Sequence, residues 1–327
     1  MLIIVSVENK MEDAPMYFPV AGIEVSPWLP PLVAFVVSFF TSMGGVSGAF
    51  LLLPFQMSFL GYTSPSVSAT NQLFNIVAIP SGVMRYVREG RMVWPLTWIV
   101  VAGTLPGVLI GAVVRVRWLP DASSFKLFAA AVLLYIGVKM IRDLTRKANN
   151  GKAESERRFQ ELVKSYRSQA SNGEPLPAVK VISFNLHHIC YEFYGERHDV
   201  NTKGIFLLSF LVGIVGGTYG IGGGSIVAPF FVTVFGLPVY TVAGAALMGT
   251  FVTSVAGVAF YQFLAPFHPD MAVAPDWLLG ILFGLGGMAG MYLGARCQKF
   301  VPARVIKWML AIIVVSTALR YVYASLS

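Results

Sequence analysis

The chain alternates long apolar stretches with short polar joints. Apolar runs cover residues 32–60, 65–86, 93–114 and 122–141, and after a polar interval they resume at 204–236, 239–263, 277–296 and 305–323. Most have the ~20 residues that a helix needs to cross the hydrocarbon core of a bilayer. Two of them, 32–60 and 204–236, are too long for one simple span and carry glycine near their middles. The breaks read Gly44-Gly45-Val46-Ser47-Gly48 and Gly217-Thr218-Tyr219-Gly220-Ile221-Gly222-Gly223-Gly224-Ser225. Each stretch is expected to split into two half-length pieces. Non-helical backbone at membrane depth is tolerated only where it is buried in protein or lines a cavity, which makes the two breaks candidate functional positions.

Residues 142–203 depart from this pattern. They are rich in charge, and Asn149-Asn150-Gly151 and Ser171-Asn172-Gly173 mark turns. Glu154 to Gln169 suits a short amphipathic helix, and Ala178 to Val200 places β-branched and aromatic residues on either side of His187-His188, as a hairpin does. The start, Met1 to Pro31, has a short apolar stretch before Lys10 and acids at Glu8, Glu12, Asp13 and Glu24, without the basic region of a signal peptide. The pattern divides the chain into an N-terminal extracytoplasmic segment (1–31), a membrane unit (32–141), a cytoplasmic insertion (142–203) and a second membrane unit (204–327).

Composition agrees. Hydrophobic residues make up 56% of the 327 and charged residues 12%, against about 45–50% and about 25% in soluble domains, which excludes an ordinary soluble enzyme. The net charge of +8 is an orientation signal rather than an attraction to nucleic acid, because of where the cations fall. If both glycine-broken stretches are re-entrant hairpins, each unit contributes one hairpin and three full spans. The N-terminus is then outside and the insertion inside, and 19 of the 24 Lys and Arg lie inside. Only Lys10, Arg115, Arg117, Lys126 and Arg320 remain outside. If both stretches crossed fully, Arg85 to Arg91 and the cluster Arg296 to Lys307 would fall on opposite sides, so the re-entrant reading is preferred. The location this predicts is the plasma membrane, multi-pass. Cys190 and Cys297 lie far apart, without metal or redox spacing, and read as unpaired structural thiols.

The two membrane units are copies. A shift of 175 aligns Gly45 with Gly220, Gly48 with Gly223, Pro54-Phe55 with Pro229-Phe230, Gly61 with Gly236, Val67 with Val242, Gly82-Val83 with Gly257-Val258 and Tyr86 with Tyr261. Further on, Gly103, Gly107 and Gly111 correspond to Gly286, Gly290 and Gly294. Three spans per unit is an odd number, so the copies insert with opposite orientation. The fold class is therefore an all-α polytopic membrane protein of two inverted repeats, each a glycine-broken re-entrant hairpin plus three transmembrane helices.

The doubled motif resembles the TauE/SafE (TSUP) family of sulfite and organosulfonate transporters. It is carried by Tyr219-Gly220-Ile221-Gly222-Gly223-Gly224 with Pro229, the Ala-rich helix start near Ala243 to Met248, and the degenerate first copy Gly44 to Pro54. The first copy departs from the pattern, with Ser47 and Ala49 where the second has Gly222 and Gly224. The resemblance implies transport of small sulfur oxyanions such as sulfite, sulfoacetate or thiosulfate, most often outward.

The residues narrow the mechanism. No acid and no histidine falls within a span, which disfavours a proton relay or a metal-ion carrier, and no Lys or Arg sits mid-span as a fixed counter-charge. What remains is the positive end of each half-helix, where glycine lets a ligand approach the backbone. Ser47, Gly48, Gly222, Gly223, Gly224 and Ser225 are the expected substrate contacts at the hairpin tips. Asn71 and Asn75, four apart on one helix face, and Thr250, which aligns with Asn75, are expected to face the cavity; for the two asparagines, bonding across helices is the alternative. Gly103, Gly107, Gly111 and their counterparts read as packing positions, and Tyr219 and Tyr261 serve equally well as packing aromatics or ligands. Gly220 to Ser225 lacks the Gly-Lys-Ser/Thr ending of a phosphate loop. No catalytic residue, metal ligand set or cofactor is expected, and the scattered histidines and Cys190 of the insertion do not form a catalytic cluster. The expected partners are a small anion and the lipid bilayer; nucleic acid is not, and a homo-oligomer is compatible with this reading. A membrane potential, negative inside, favours anion exit, so electrogenic efflux needs no protein carboxylate. The alternative is an importer of an organosulfonate or thiosulfate coupled to an ion gradient.

Overall fold

The computed structural model describes residues 15–43, 47–88, 90, 92–145, 161, 179–193, 195–237, 239–297 and 303–326. The Gly44-Gly45-Val46 part of the first break, and all but one residue of the helix expected over Glu154–Gln169, lie outside the described residues.

The chain is mostly helical. The first unit has α1 (Leu29–Met43), α2 (Ala49–Ser58), α3 (Ser66–Ala78), α4 (Pro80–Arg88), α5 (Trp94–Arg117) and α6 (Ala122–Thr145). The second has α7 (Thr202–Tyr219), α8 (Gly224–Val234), α9 (Val239–Leu264), α10 (Trp277–Cys297) and α11 (Ala303–Leu326). Among the described residues, five helical segments have the length and apolarity to cross a membrane: Trp94–Arg117, Ala122–Arg142, Thr202–Tyr219, Thr241–Phe267 and Trp277–Gly294. The protein is a multi-pass membrane protein.

Two expectations change in detail. Both glycine-broken stretches split, but not into equal halves. α7 has 18 residues, about 27 Å of helix, close to the ~30 Å hydrocarbon thickness, whereas α8 has 11. The Asn201 side chain caps α7 by accepting the Gly204 N–H (3.0 Å), so this helix starts before the apolar run does. The stretch 65–86 is broken as well. Pro80 supplies no N–H and its ring clashes with the preceding turn, so α3 stops at Ala78 and α4 begins at Pro80. Its counterpart α9 has Val255 at the aligned position and runs unbroken for 26 residues.

The glycines expected to pack do so. A Cβ on Gly103 would lie 2.7 Å from the Phe206 carbonyl of α7, and one on Gly213 of α7 would lie 2.6 Å from the Thr104 carbonyl of α5. Gly107 and Gly111 continue the same seam, and Gly286, Gly290 and Gly294 of α10 meet the backbone of α1 in the same way. Small residues let the helix backbones touch, the main source of helix association where lipid removes the hydrophobic drive. Among the described residues, the seams α5–α7 and α10–α1 are the most extensive; α6 packs on α11, α3 on α10, α9 on α5, α2 on α3 and α8 on α9.

The molecule has two polar ends. At one, the Ala21 N–H bonds Asp276 (3.2 Å), the Ser66 N–H bonds the Ala272 carbonyl (2.9 Å) and Arg115 bonds the Thr63 carbonyl (2.8 Å). At the other, the Val179 N–H bonds the Gly90 carbonyl (3.0 Å), and the Tyr191 and Thr241 hydroxyls are 2.9 Å apart. α1–α2 leaves and returns to the first end and α7–α8 to the second. Phe235, just past α8, lies against Gly204 near the start of α7, 3.1 Å from where a Cβ on Gly204 would sit. Each hairpin closes in a left-handed glycine, Gly61 (φ 70°) and Gly236 (φ 67°). In both hairpins the next N–H reaches the carbonyl six residues back, Tyr62 to Gln56 (3.0 Å) and Leu237 to Phe231 (3.2 Å).

Two small antiparallel sheets decorate the ends. β1 (Met16–Phe18) pairs with β2 (Ile23–Val25), a hairpin the sequence reading did not anticipate. In the insertion, β3 (Lys180–Phe184), β4 (His188–Phe193) and β5 (Glu196–Asn201) form a meander, so the expected hairpin around His187-His188 gains a third strand after the turn at Gly195 (φ 78°). Cys190 and Cys297 are free thiols.

Candidate functional site

The second break is built from glycine because no other residue fits. Gly220 is left-handed (φ 87°), and its N–H and that of Ile221 both bond the Gly216 carbonyl (2.9 and 3.0 Å), ending α7 in a Schellman turn. Gly222 is left-handed too (φ 72°), and α8 starts two residues later. Added Cβ atoms would lie 2.6 Å from Ser68 Cα at Gly220, 2.9 Å from Ser254 Oγ at Gly222 and 2.5 Å from Thr104 Cβ at Gly223.

One face of α3 runs along this break. Ser68 Oγ donates to the Thr218 carbonyl (3.1 Å), Asn71 Nδ2 to Gly220 (3.1 Å), Asn75 Nδ2 to Ile221 (3.1 Å) and Gln72 Nε2 to Gly217 (3.5 Å). The same face holds the first break. Asn71 Nδ2 also donates to the Ala49 carbonyl (2.9 Å), Gln56 Nε2 donates to Asn71 Oδ1 (3.3 Å), and Ser47 Oγ donates to Asn75 Oδ1 (3.3 Å) while accepting the Ala49 N–H (3.3 Å). Two tyrosines complete the link: Tyr219 donates to the Phe50 carbonyl (2.9 Å) and Tyr261 to Gly217 (3.1 Å). Asn71, Gln72, Asn75 and Thr250 are fully buried. On the other flank, α9 presents Thr250, Thr253 and Ser254. Thr250 Oγ1 bonds the Ala246 carbonyl (2.9 Å), and Thr253 Oγ1 bonds Gly249 (2.6 Å) while accepting the Gly223 N–H (3.3 Å).

None of these residues is acidic or basic. The charge at the junction comes from the N-terminal ends of α2 and α8, whose first N–H groups have no carbonyl partner within the helix. Such an end attracts an anion and repels a cation.

A buried cation does exist, though away from the junction. Arg115, which the sequence reading placed just past a span, is fully buried at the first polar end. Its guanidinium donates to the carbonyls of Thr63, Leu119 and Pro120 and lies 3.7 Å from the centre of the Phe125 ring. It ties the loop that follows α5 to the loop after α2.

The family model for the sulfite exporter TauE/SafE matches residues 31–321. The chain belongs to the TauE/SafE family. It is 21% identical over 291 residues to the Bacillus subtilis (strain 168) protein named "Probable membrane transporter protein YunE", covering 86% of this chain and 92% of that one. It is 23% identical over 295 residues to the Sinorhizobium sp "Probable membrane transporter protein ORF9", covering 88% and 89%. No solved structure matches. The protein is thus a membrane transporter.

In this TauE/SafE chain the expected site residues fall into two sets. Ser47, Asn71 and Asn75 join the two breaks directly. Gly222, Gly223 and Gly224 pack against α5 and α9, with Thr250 beside Gly222 and Gly224. Gly48 caps α2 next to Ser38 on α1, and the Ser225 side chain lies outside the described residues. Of the two roles expected for Asn71 and Asn75, the hydrogen bonds seen are those across helices: their amides donate to carbonyls of the second break. Sequence reasoning missed Gln56, Thr253, Ser254 and Ser38. A signal for three of them was present: Gln56 is the one polar residue among Ala49–Met57, and Thr250, Thr253 and Ser254 share a face of an otherwise apolar helix.

Proposed function

We propose that this protein is a secondary carrier of small sulfur-containing anions, such as sulfite, sulfoacetate or thiosulfate, and that it moves them outward across the plasma membrane. The observation that carries the reading is the convergence of both glycine breaks on Asn71 and Asn75. The N-terminal ends of two half-helices approach one helix in a region without ionised side chains, and this suits an anion held by backbone N–H groups and hydroxyls near the bilayer midplane. The family match supports the sulfur oxyanion as substrate class.

The two membrane units are read as an inverted repeat. Exchanging α1 with α7, α2 with α8, α3 with α9, α5 with α10 and α6 with α11 maps the main packing seams onto one another, and the hairpins return to opposite polar ends. The excess of Lys and Arg around the end that bears the insertion supports placing that end in the cytoplasm. In this scheme the Asn71 and Asn75 bridges belong to an occluded state, and transport requires that they open alternately toward each side.

The test is a thermal-shift screen of purified protein with sulfite, thiosulfate, sulfoacetate and taurine. A ligand at a hundred times its Kd stabilises the folded state by about 2.7 kcal/mol, so a true substrate raises the midpoint measurably and chloride at equal ionic strength does not. Replacing Gly223 by Leu, which forces a side chain into Thr104, should erase the shift. If none of the sulfur anions shifts the midpoint, the substrate assignment is wrong.

A further inference from the structure

Four buried polar atoms without a hydrogen-bond partner lie at the two breaks: Ser38 Oγ, Gln56 Oε1, Gln72 Oε1 and Ser254 Oγ. Native proteins hold few such groups, because each has lost its water without gaining a partner. The glutamine oxygens are acceptors only and would repel an anion. The serine hydroxyls can donate.

Both serines are fully buried and both face the start of a half-helix. Ser254 Oγ is 2.9 Å from where a Cβ on Gly222 would sit, one residue before the Gly223 cap of α8. Ser38 Oγ is 2.8 Å from the same point on Gly48, the cap of α2. The neighbouring donors are engaged. Asn71 Nδ2 bonds two carbonyls, Ser47 bonds Asn75, and Thr250 and Thr253 bond the preceding turn of their own helix.

We propose that Ser254 and Ser38 are anion-binding residues, the hydroxyl donors that an oxyanion meets at the second and first hairpin tips. The inference rests on the carrier reading above and deepens it. An ionised sulfur oxyanion offers several acceptor oxygens and no donor. One hydroxyl beside the positive end of a half-helix satisfies an oxygen and the orphaned serine together. In the empty protein the two hydroxyls stay unpaired, so affinity for the anion is bought with stability of the unliganded state.

The experiment compares parent, Ser254→Ala and Ser38→Ala as full-length purified proteins, in thermal denaturation without anion, in sulfite and thiosulfate titration, and in flux from proteoliposomes. Without anion, both variants should be as stable as the parent or more so, since each loses only an unpaired hydroxyl. Affinity should fall about tenfold in each, ~1.4 kcal/mol, with flux at low anion concentration falling in step. Parental affinity in both variants overturns the inference and leaves the carrier reading standing. A variant that is less stable without anion assigns its serine a structural role and overturns the inference for that residue. A parent that binds and moves no sulfur anion overturns the carrier reading and this inference with it.

Discussion

Gly103 and Gly61 separate two reasons for a glycine, and the contrast tests how the helices are held together. A Cβ at Gly103 would sit 2.7 Å from the Phe206 carbonyl oxygen, 2.8 Å from Ser209 Cβ and 3.3 Å from the Phe210 nitrogen, where ordinary contact begins at 3.4 Å. For alanine to fit, α5 and α7 must part by about 0.7 Å. A gap of 0.5–1 Å forfeits roughly a quarter to a half of each dispersion contact, and Gly107 and Gly111 on the same seam lose theirs too. Overpacking of this kind costs about 1–3 kcal/mol, offset by up to about 1 kcal/mol of helix propensity; with three glycines on the seam, a net loss of about 2 kcal/mol is expected. Gly61 is left-handed, and nothing lies within 4 Å of an added Cβ. Its alanine variant pays only backbone strain, about 1–2 kcal/mol. The size series decides between the two. At Gly103, alanine, valine and leucine should destabilise progressively, with leucine preventing assembly. At Gly61, leucine should match alanine. The assay is heating in detergent, followed by tryptophan fluorescence and by recovery of monodisperse protein. Equal slopes at the two positions, or a Gly103→Ala protein as stable as the parent, would refute the argument that α5 and α7 meet backbone to backbone.

Asn71→Ala should lower the thermal midpoint more than Asn75→Ala, by about 1 kcal/mol in total, because the Asn71 amide serves two carbonyls and interhelical bonds in membranes average about 0.6 kcal/mol. Asn71→Asp should abolish transport in a flux assay, since it sets a carboxylate against the Ala49 and Gly220 oxygens. Tyr219→Phe removes the bond to the Phe50 carbonyl (2.9 Å) and should cost about 1 kcal/mol of thermal stability. In the insertion, burial pushes His198 below the ordinary imidazole range, against a smaller opposing pull from Glu196. The neutral ring belongs to the folded sheet, so stability is complete above the unfolded imidazole value of about 6.5 and falls as the pH drops below it. Hydrogen exchange of β4 and β5, corrected for intrinsic rates, should quicken from about pH 7.5 to about pH 5, and His198→Phe should remove that component.

Much of the helical fold is legible in the sequence because the bilayer leaves few options. Runs of about 20 apolar residues become helices, and the paired glycines 103/107/111 and 286/290/294 become backbone contacts, since small residues at a spacing of four mark a close seam. The left-handed Gly61 and Gly236 fall at positions that the sequence aligns with each other. The α3–α4 break was missed because hydropathy does not register a missing N–H, although Pro80 was there to read. The third strand, β5, was missed because Glu196-Arg197-His198-Asp199 is polar and pairs through its backbone.

The site was legible in location and less so in role. Glycine clusters within apolar runs locate the breaks, because left-handed residues and close approach admit nothing else. Whether Asn71 and Asn75 line a cavity or bridge helices depends on which carbonyls they reach, and those belong to residues about 20 and 150 positions away. The unpartnered state of Ser38 and Ser254 is a property of packing that no local pattern encodes, and Arg115 is buried by contacts from the Thr63 loop.

Voltage-driven flux tests the carrier account most directly. Proteoliposomes loaded with sulfite or thiosulfate are given a potential of either sign, with protein-free liposomes as reference. A potential of 100 mV is worth about 2.3 kcal/mol per charge, or roughly a 50-fold gradient for a monovalent anion. The account predicts flux above the reference that accumulates the anion on the positive side and reverses when the potential is reversed. Flux equal to that of protein-free liposomes, or flux indifferent to the potential, would contradict it.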